Sequence, residues 1–254
     1  MTGQRENVLM TTIETLLAAR NGSPIADLPA ELVPADTSEV YYVQDAIAAT
    51  FGDVGGWKIG AATPEATPLF APMPRAWMAG SGSRLSGEHW RYRGLEAEIA
   101  FLVGEDLPPR ATPYSREEAL AAMASCHPVI EILESAFIDP MVATKFAALA
   151  DLQMHGGFIQ GPAINNWQAI DFNKETVTLS VDGVVRIERT GSNTSGDLLK
   201  LIPWLANEGA ARTGGLRKGQ WITTGSWTGN LPTTNDVRVD VEFTTAGHTE
   251  VSFA

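Results

Sequence analysis

Apolar residues recur at helical spacing over residues 5 to 20, where Val8, Ile13, Leu16 and Leu17 share a face and Glu14 and Thr15 lie outside it. A loop rich in Pro and Asp, "NGSPIADLPAELVPADTSEV", follows. Helical spacing resumes in "SEVYYVQDAIAATFG", with Thr37 or Ser38 as N-cap and Gly52 as the C-terminal stop. From Gly56 the period changes to two. "GGWKIGA", "LEAEIAFLV" and "HPVIEILES" read as strands, with the helical stretch "SREEALAAMASC" between the last two. "GGFIQGPAI", "TVTLSVDG", "VVRIERTG", "QWITTGSWTG" and "VRVDVEFTTAG" continue the β pattern. Asp-Gly in "SVDGVV" marks a hairpin. One more helix, "DLLKLIPWLANEGAARTG", carries Pro203 as a kink or a start. No repeat of fixed period is present. The pattern predicts a single α+β, β-rich domain over 1–254, with a helical N-terminal lobe over 1–55 and a β-rich body over 56–254.

The strand "LEAEIAFLV" places Glu96 and Glu98 two residues apart, so both point to one face while Ala97, Ile99 and Phe101 point to the other. An amphipathic strand with a solvated acidic face is the ordinary explanation of such a pair. A third carboxylate, Glu131 in "VIEIL", lies inside a β-branched run where an unpaired charge is costly to bury. Together the three form a hard-oxygen set suited to Mg²⁺, with Mn²⁺ as the alternative. Glu134 falls on the opposite strand parity from Glu131 and ranks behind it. Lys58 in "GWKIGA" is either a snorkelling edge lysine or a cation aimed at the acidic face. Thr224, Gly225 and Ser226 in "TTGSWTG" offer hydroxyls and N–H groups to a substrate carboxylate, although a β-turn explains them equally well. Among the histidines only His155 in "LQMHGG" is retained as a site residue. His89 and His248 read as surface turn residues, and His127 as a packing residue.

Composition narrows the partners. The 254 residues are 44% hydrophobic and 19% charged, with a formal charge of −12. The acidic balance disfavours nucleic acid and anionic membranes as main partners. The single cysteine, Cys126, excludes an internal disulfide and a Cys-rich metal site. The first twenty residues lack the apolar core of a signal peptide, and no run approaches a membrane span. A soluble, cytoplasmic protein is expected.

The stretches "GWKIGA", "LEAEIAFLVGEDL", "VIEILES", "PWLANEGA", "LRKGQWITTGS" and "TTAGHTEVSF" stand in the order found in the 2-keto-4-pentenoate hydratase and 4-oxalocrotonate decarboxylase family. The chain therefore resembles this branch of the fumarylacetoacetate hydrolase superfamily over nearly its full length, since "LLAARNGSPIADLP" and "VYYVQDAIA" match the family's N-terminal helices. The resemblance implies a fumarylacetoacetase C-terminal-like mixed β-sandwich or roll, a cytosolic homo-oligomer, and a divalent metal held by Glu96, Glu98 and Glu131. It implies a catalytic role for Lys58, and for Asp151 in "ADL", where Leu152 replaces a typical asparagine. The family's loop aspartate, linked with water addition, aligns with Pro72.

The first expectation is a metal-dependent hydratase of a 2-hydroxy-2,4-dienoate, or its 2-oxo tautomer, in aromatic-compound catabolism. A decarboxylase of a vinylogous 2-oxo acid is the alternative that the missing loop aspartate favours. A C–C bond hydrolase and a non-catalytic paralogue complete the set.

Overall fold

Glycine and short polar turns cut the chain where alternating patterns begin and end; each predicted stretch contains a strand, while Leu69–Pro74, Met78–Gly80, Ser83–Leu85, Leu231–Pro232 and Gly247–Phe253 are strands that the pattern did not predict. The computed structural model describes residues 3–254. Helices α1 (Gly3–Asn21) and α2 (Thr37–Thr50) open the fold. Leu9 and Ala19 join Ile13 and Leu16 on the buried face of α1, whereas Val8 and Leu17 are only half-buried. Helix α2 begins one residue before Ser38, because the Asp36 carboxylate, and neither Thr37 nor Ser38, accepts the Glu39 N–H. Gly52, with φ of 92°, follows its end as expected.

The strands are β1 (Val54–Gly60), β2 (Leu69–Pro74), β3 (Met78–Gly80), β4 (Ser83–Leu85), β5 (Gly94–Val103), β6 (Met123–Leu133), β7 (His155–Gln160), β8 (Thr176–Val181), β9 (Val184–Thr190), β10 (Trp221–Thr223), β11 (Leu231–Pro232), β12 (Arg238–Phe243) and β13 (Gly247–Phe253). A mixed sheet runs in the order β2-β1-β10-β5-β6-β7-β3, with β11 also on β5; a second sheet runs β4-β13-β12-β8-β9. Their facing sides share an apolar core that includes Trp90, Ile99, Phe101, Ile130, Leu179, Val241 and Val251. Asp182 and Gly183 both have positive φ, the twist that the predicted hairpin between β8 and β9 requires. Gly56 lies so close to β10 that a Cβ there would press into the Trp221 carbonyl, so glycine permits the β1–β10 pairing.

Two helical expectations need correction. "SREEALAAMASC" is helical only over α3 (Arg116–Ala121), which a Ser115–Glu118 capping box starts, and Met123 already belongs to β6. The long helix predicted after Asp197 is broken into α5 (Leu201–Trp204), a π-turn over Leu205–Gly209 and a tighter turn over Ala210–Thr213. Pro203, which lacks an N–H, sits inside α5. An unforeseen helix, α4 (Lys145–Ala150), packs with α1 and α2 around Leu16, Val40, Ile47, Phe137 and Leu152. The helical layer thus recruits residues well beyond position 55. Among the described residues no helix is long and apolar enough to cross a membrane.

Candidate metal centre

Strand pairing builds the acidic cluster. Glu96 on β5 is directly opposite Glu131 on β6, and Glu98 follows on the same face of β5. Ligand oxygens of the three carboxylates lie within 4.8 Å of one another. On the adjacent strands Lys58 of β1 pairs with Thr223 of β10, and Thr223 with Ala100 of β5, which brings Lys58 and Thr223 onto this face. The opposite parity carries Trp57, Ile222, Ile99 and Ile130 into the core between the sheets.

Each carboxylate is held differently. Glu131 is fully buried; its Oε1 accepts from Lys58 Nζ at 2.6 Å and lies 2.9 Å from His155 Nδ1. Its Oε2 is buried with no hydrogen-bond partner. Glu98 Oε2 accepts from the Thr223 hydroxyl and from the Gly225 N–H at 3.0 Å. Glu96 is half-buried beside the Ser226 hydroxyl. Burial pushes the Glu96 carboxyl up to about 7, although Lys58 opposes it. Burial, and then the charges of Glu131 and Glu96, raise Glu98 well above the ordinary carboxylate range. Burial acts in the same upward direction on Glu131, but Lys58 and His155 outweigh it and hold that carboxyl low. For Lys58 burial pulls downward, yet attraction to Glu131, Glu96 and Glu98 prevails and raises the ammonium.

Two ionised carboxylates 4.8 Å apart repel by about 3 kcal/mol at an effective dielectric of about 20. A buried trio with one lysine is therefore short of positive charge. The orphaned Glu131 Oε2 and the all-oxygen donor set fit a hard divalent cation. A second acidic group, Asp240, His248 and Glu250, is also close-set, but Arg238 already pairs with both of its carboxylates.

Lys58 also donates to the Gln153 carbonyl at 2.9 Å. That carbonyl belongs to a turn in which Leu152, Gln153 and Met154 have φ of 50°, 52° and 63°. Left-handed conformations cost roughly 1–2 kcal/mol per non-glycine residue, so surrounding contacts must enforce the turn. His155 follows it at the start of β7, its ring stacked on Trp77 at 5.9 Å and its Nε2 without a partner.

Several expected site residues are placed elsewhere. Asp151 does not reach the trio: one of its carboxylate oxygens binds Arg20, and the other accepts from Ser135 Oγ at 2.7 Å and Ala136 N–H at 2.8 Å. Thr224 is likewise not free for a substrate, because its hydroxyl donates to the Ile99 carbonyl at 2.7 Å. Gly225 and Ser226 do face the trio, through Glu98 and Glu96. Thr223 was missed; Ile222 in the core signals it, since its neighbour on the strand must face the other way. Glu134, just past the end of β6, accepts from the N–H groups of Arg91, Tyr92 and Arg93 and is not part of the trio. His127 packs between Ser125 and Gly161. Pro72 pairs with Trp57 and shares its face; Leu69, Ala71 and Met73 are the β2 residues on the Lys58 face.

No family model matches the chain. Among solved structures, 4-oxalocrotonate decarboxylase from Pseudomonas putida G7, complexed with magnesium and adipate, aligns over 100% of both chains with a TM-score of 0.85 and 20% identity. The same enzyme complexed with calcium and acetate aligns at 0.83 and 21%. 2-Hydroxyhepta-2,4-diene-1,7-dioate isomerase from Mycobacterium marinum matches 79% of this chain and 74% of its own, with a TM-score of 0.59 and 16% identity. At these identities the likeness establishes the fold, a fumarylacetoacetate-hydrolase-like mixed sandwich with the helical layer included.

Proposed function

We propose that the protein is a divalent-metal-dependent decarboxylase of a vinylogous 2-oxo acid of the 4-oxalocrotonate type, with Glu96, Glu98 and Glu131 as metal ligands. The observation that carries this reading is a close-set carboxylate trio, with Glu98 and Glu131 buried, and an ammonium, Lys58 Nζ, 2.6 Å from Glu131. Full-length likeness to a decarboxylase complexed with magnesium supports the same choice.

When bound, Mg²⁺ or Mn²⁺ supplies Lewis acidity toward the oxygens of a 2-oxo acid. The chain's own residues do the rest. Thr223 and the Gly225 N–H hold Glu98 in place, and His155 and Lys58 fix Glu131. As CO₂ leaves, the electron pair of the broken C–C bond enters the conjugated chain. A proton from Lys58 Nζ then completes the product, and solvent returns a proton to the amine. A cavity of about 340 Å³ adjoins Gln153, lined by Leu69, Met141, Met154 and Lys145. An apolar wall with one cation matches a linear conjugated chain that ends in a carboxylate.

Hydration, the first expectation from sequence, is the second reading. It needs a group to direct water, and Leu69, Ala71 and Met73 on the strand beside Lys58 carry no such group. Incubation with Mg²⁺ and 4-oxalocrotonate separates the two. Decarboxylation releases one CO₂ per substrate consumed; a 4-hydroxy-2-oxo acid formed without CO₂ would overturn the proposal in favour of hydration. The cytoplasmic homo-oligomer implied by the family resemblance remains part of this proposal.

A further inference from the structure

We infer that Arg20, on the last turn of α1, is a positioning residue for the metal centre: it clamps the left-handed turn that holds Lys58 and His155 against Glu131. The inference rests on the site assignment above and adds to it a residue from a different layer of the fold.

The Arg20 side chain is only 7% exposed. Its guanidinium binds the Asp151 carboxylate and donates to three carbonyls: Asp151 at 2.9 Å, His155 at 3.0 Å and Glu134 at 3.3 Å. These contacts bracket residues 152–154, the three successive non-glycine residues with positive φ. Asp151 is in turn tied to Ser135 and Ala136, and the Glu134 N–H donates to the Met154 carbonyl at 2.9 Å. Both outputs of the turn end at the metal centre. The Gln153 carbonyl accepts from Lys58 Nζ, and His155 Nδ1 meets Glu131 Oε1. Trp77 supports both ends, with the Arg20 guanidinium 5.4 Å above its ring and the His155 ring stacked on it.

Arg20 is itself aimed by a second guanidinium. Arg91 donates to the carbonyls of Ala19 and Arg20, in the last turn of α1, and to those of Gly22 and Ser135. A planar fork with several donors at fixed angles can bridge one carboxylate and three carbonyls; a lysine cannot. Arg20 touches neither the trio nor any reacting atom, so its effect on turnover passes through geometry.

The test compares wild type with Arg20→Met and Asp151→Asn in steady-state kinetics, Mn²⁺ titration and crystal structures. Misplacing Lys58 by about 1 Å should lower kcat on the order of 100-fold, with KM changed less than about 3-fold. Free guanidinium added to Arg20→Ala should restore part of the lost kcat, which a merely structural loss would not allow. In crystals of either variant, Lys58 should separate from the Gln153 carbonyl or His155 from Glu131. Folded Arg20→Met with wild-type kcat, or with both contacts intact, overturns the inference. If Arg20→Met does not fold, Asp151→Asn is judged by the same kcat and the same two contacts. Absence of turnover in the wild type would refute the decarboxylase reading alone, and the crystal structures would still decide the clamp.

Discussion

Replacing Glu98 by Gln should make the metal-free protein more stable and at the same time abolish its stabilisation by Mg²⁺. The glutamine oxygen can accept from Thr223 and Gly225 as Glu98 Oε2 does, and its NH₂ turns toward Glu96 and Glu131. At 4.8 Å each fully ionised pair costs about 3 kcal/mol at an effective dielectric of about 20. Glu96, at about 7, is about half protonated at pH 7 and Glu98 is also raised, so the relief reduces to roughly 1–2 kcal/mol. For a chain of this length that is about 2–8 °C in Tm. Magnesium at about 100 times its Kd should stabilise wild type by about 2.7 kcal/mol, and leave Glu98→Gln unchanged. Thermal melts followed by circular dichroism, in EDTA and in Mg²⁺, read both effects. A destabilised Glu98→Gln that still gains the wild-type increment from Mg²⁺ would refute the placement of this carboxylate in the metal shell.

Other substitutions separate the roles of neighbouring groups. Lys58→Met should lower kcat by about 10²–10⁴-fold while Mn²⁺ still binds, read by kinetics beside metal titration. Thr223→Val should weaken metal affinity by about 10-fold, whereas Thr224→Val should lower Tm and spare affinity; wild-type affinity in both would contradict the assigned partners. Raised carboxyls keep protons in the metal-free protein, and Glu96 titrates at about 7. Cation uptake at pH 7 should therefore release protons, in an amount that falls as pH rises, by calorimetry in buffers of different ionisation enthalpy. Lys145→Met should raise KM for a dicarboxylate substrate several-fold with kcat little changed.

The period-two pattern of "LEAEIAFLV" was enough to put Glu96 and Glu98 on one face, and apolar flanks were enough to single out Glu131. What alternation cannot convey is which strands become neighbours. The pairing of Thr223 with both Lys58 and Ala100 depends on β10 lying between β1 and β5, strands far away in sequence. That is why Thr223 went unnoticed. The partners of Asp151, a residue put forward from the family resemblance, were hidden for a related reason. Three left-handed residues turn the chain between it and His155, and partners distant in sequence, Arg20, Lys58 and Glu134, hold that turn. Helix α4 escaped notice because six residues carry too little periodicity to register.

Crystals grown in Mn²⁺ give the most direct test of the proposed centre, through anomalous scattering from the metal. A single strong peak about 2.2 Å from carboxylate oxygens of Glu96, Glu98 and Glu131 is the predicted result. No peak there at saturating Mn²⁺, or a peak only at Asp240, His248 and Glu250, would contradict it.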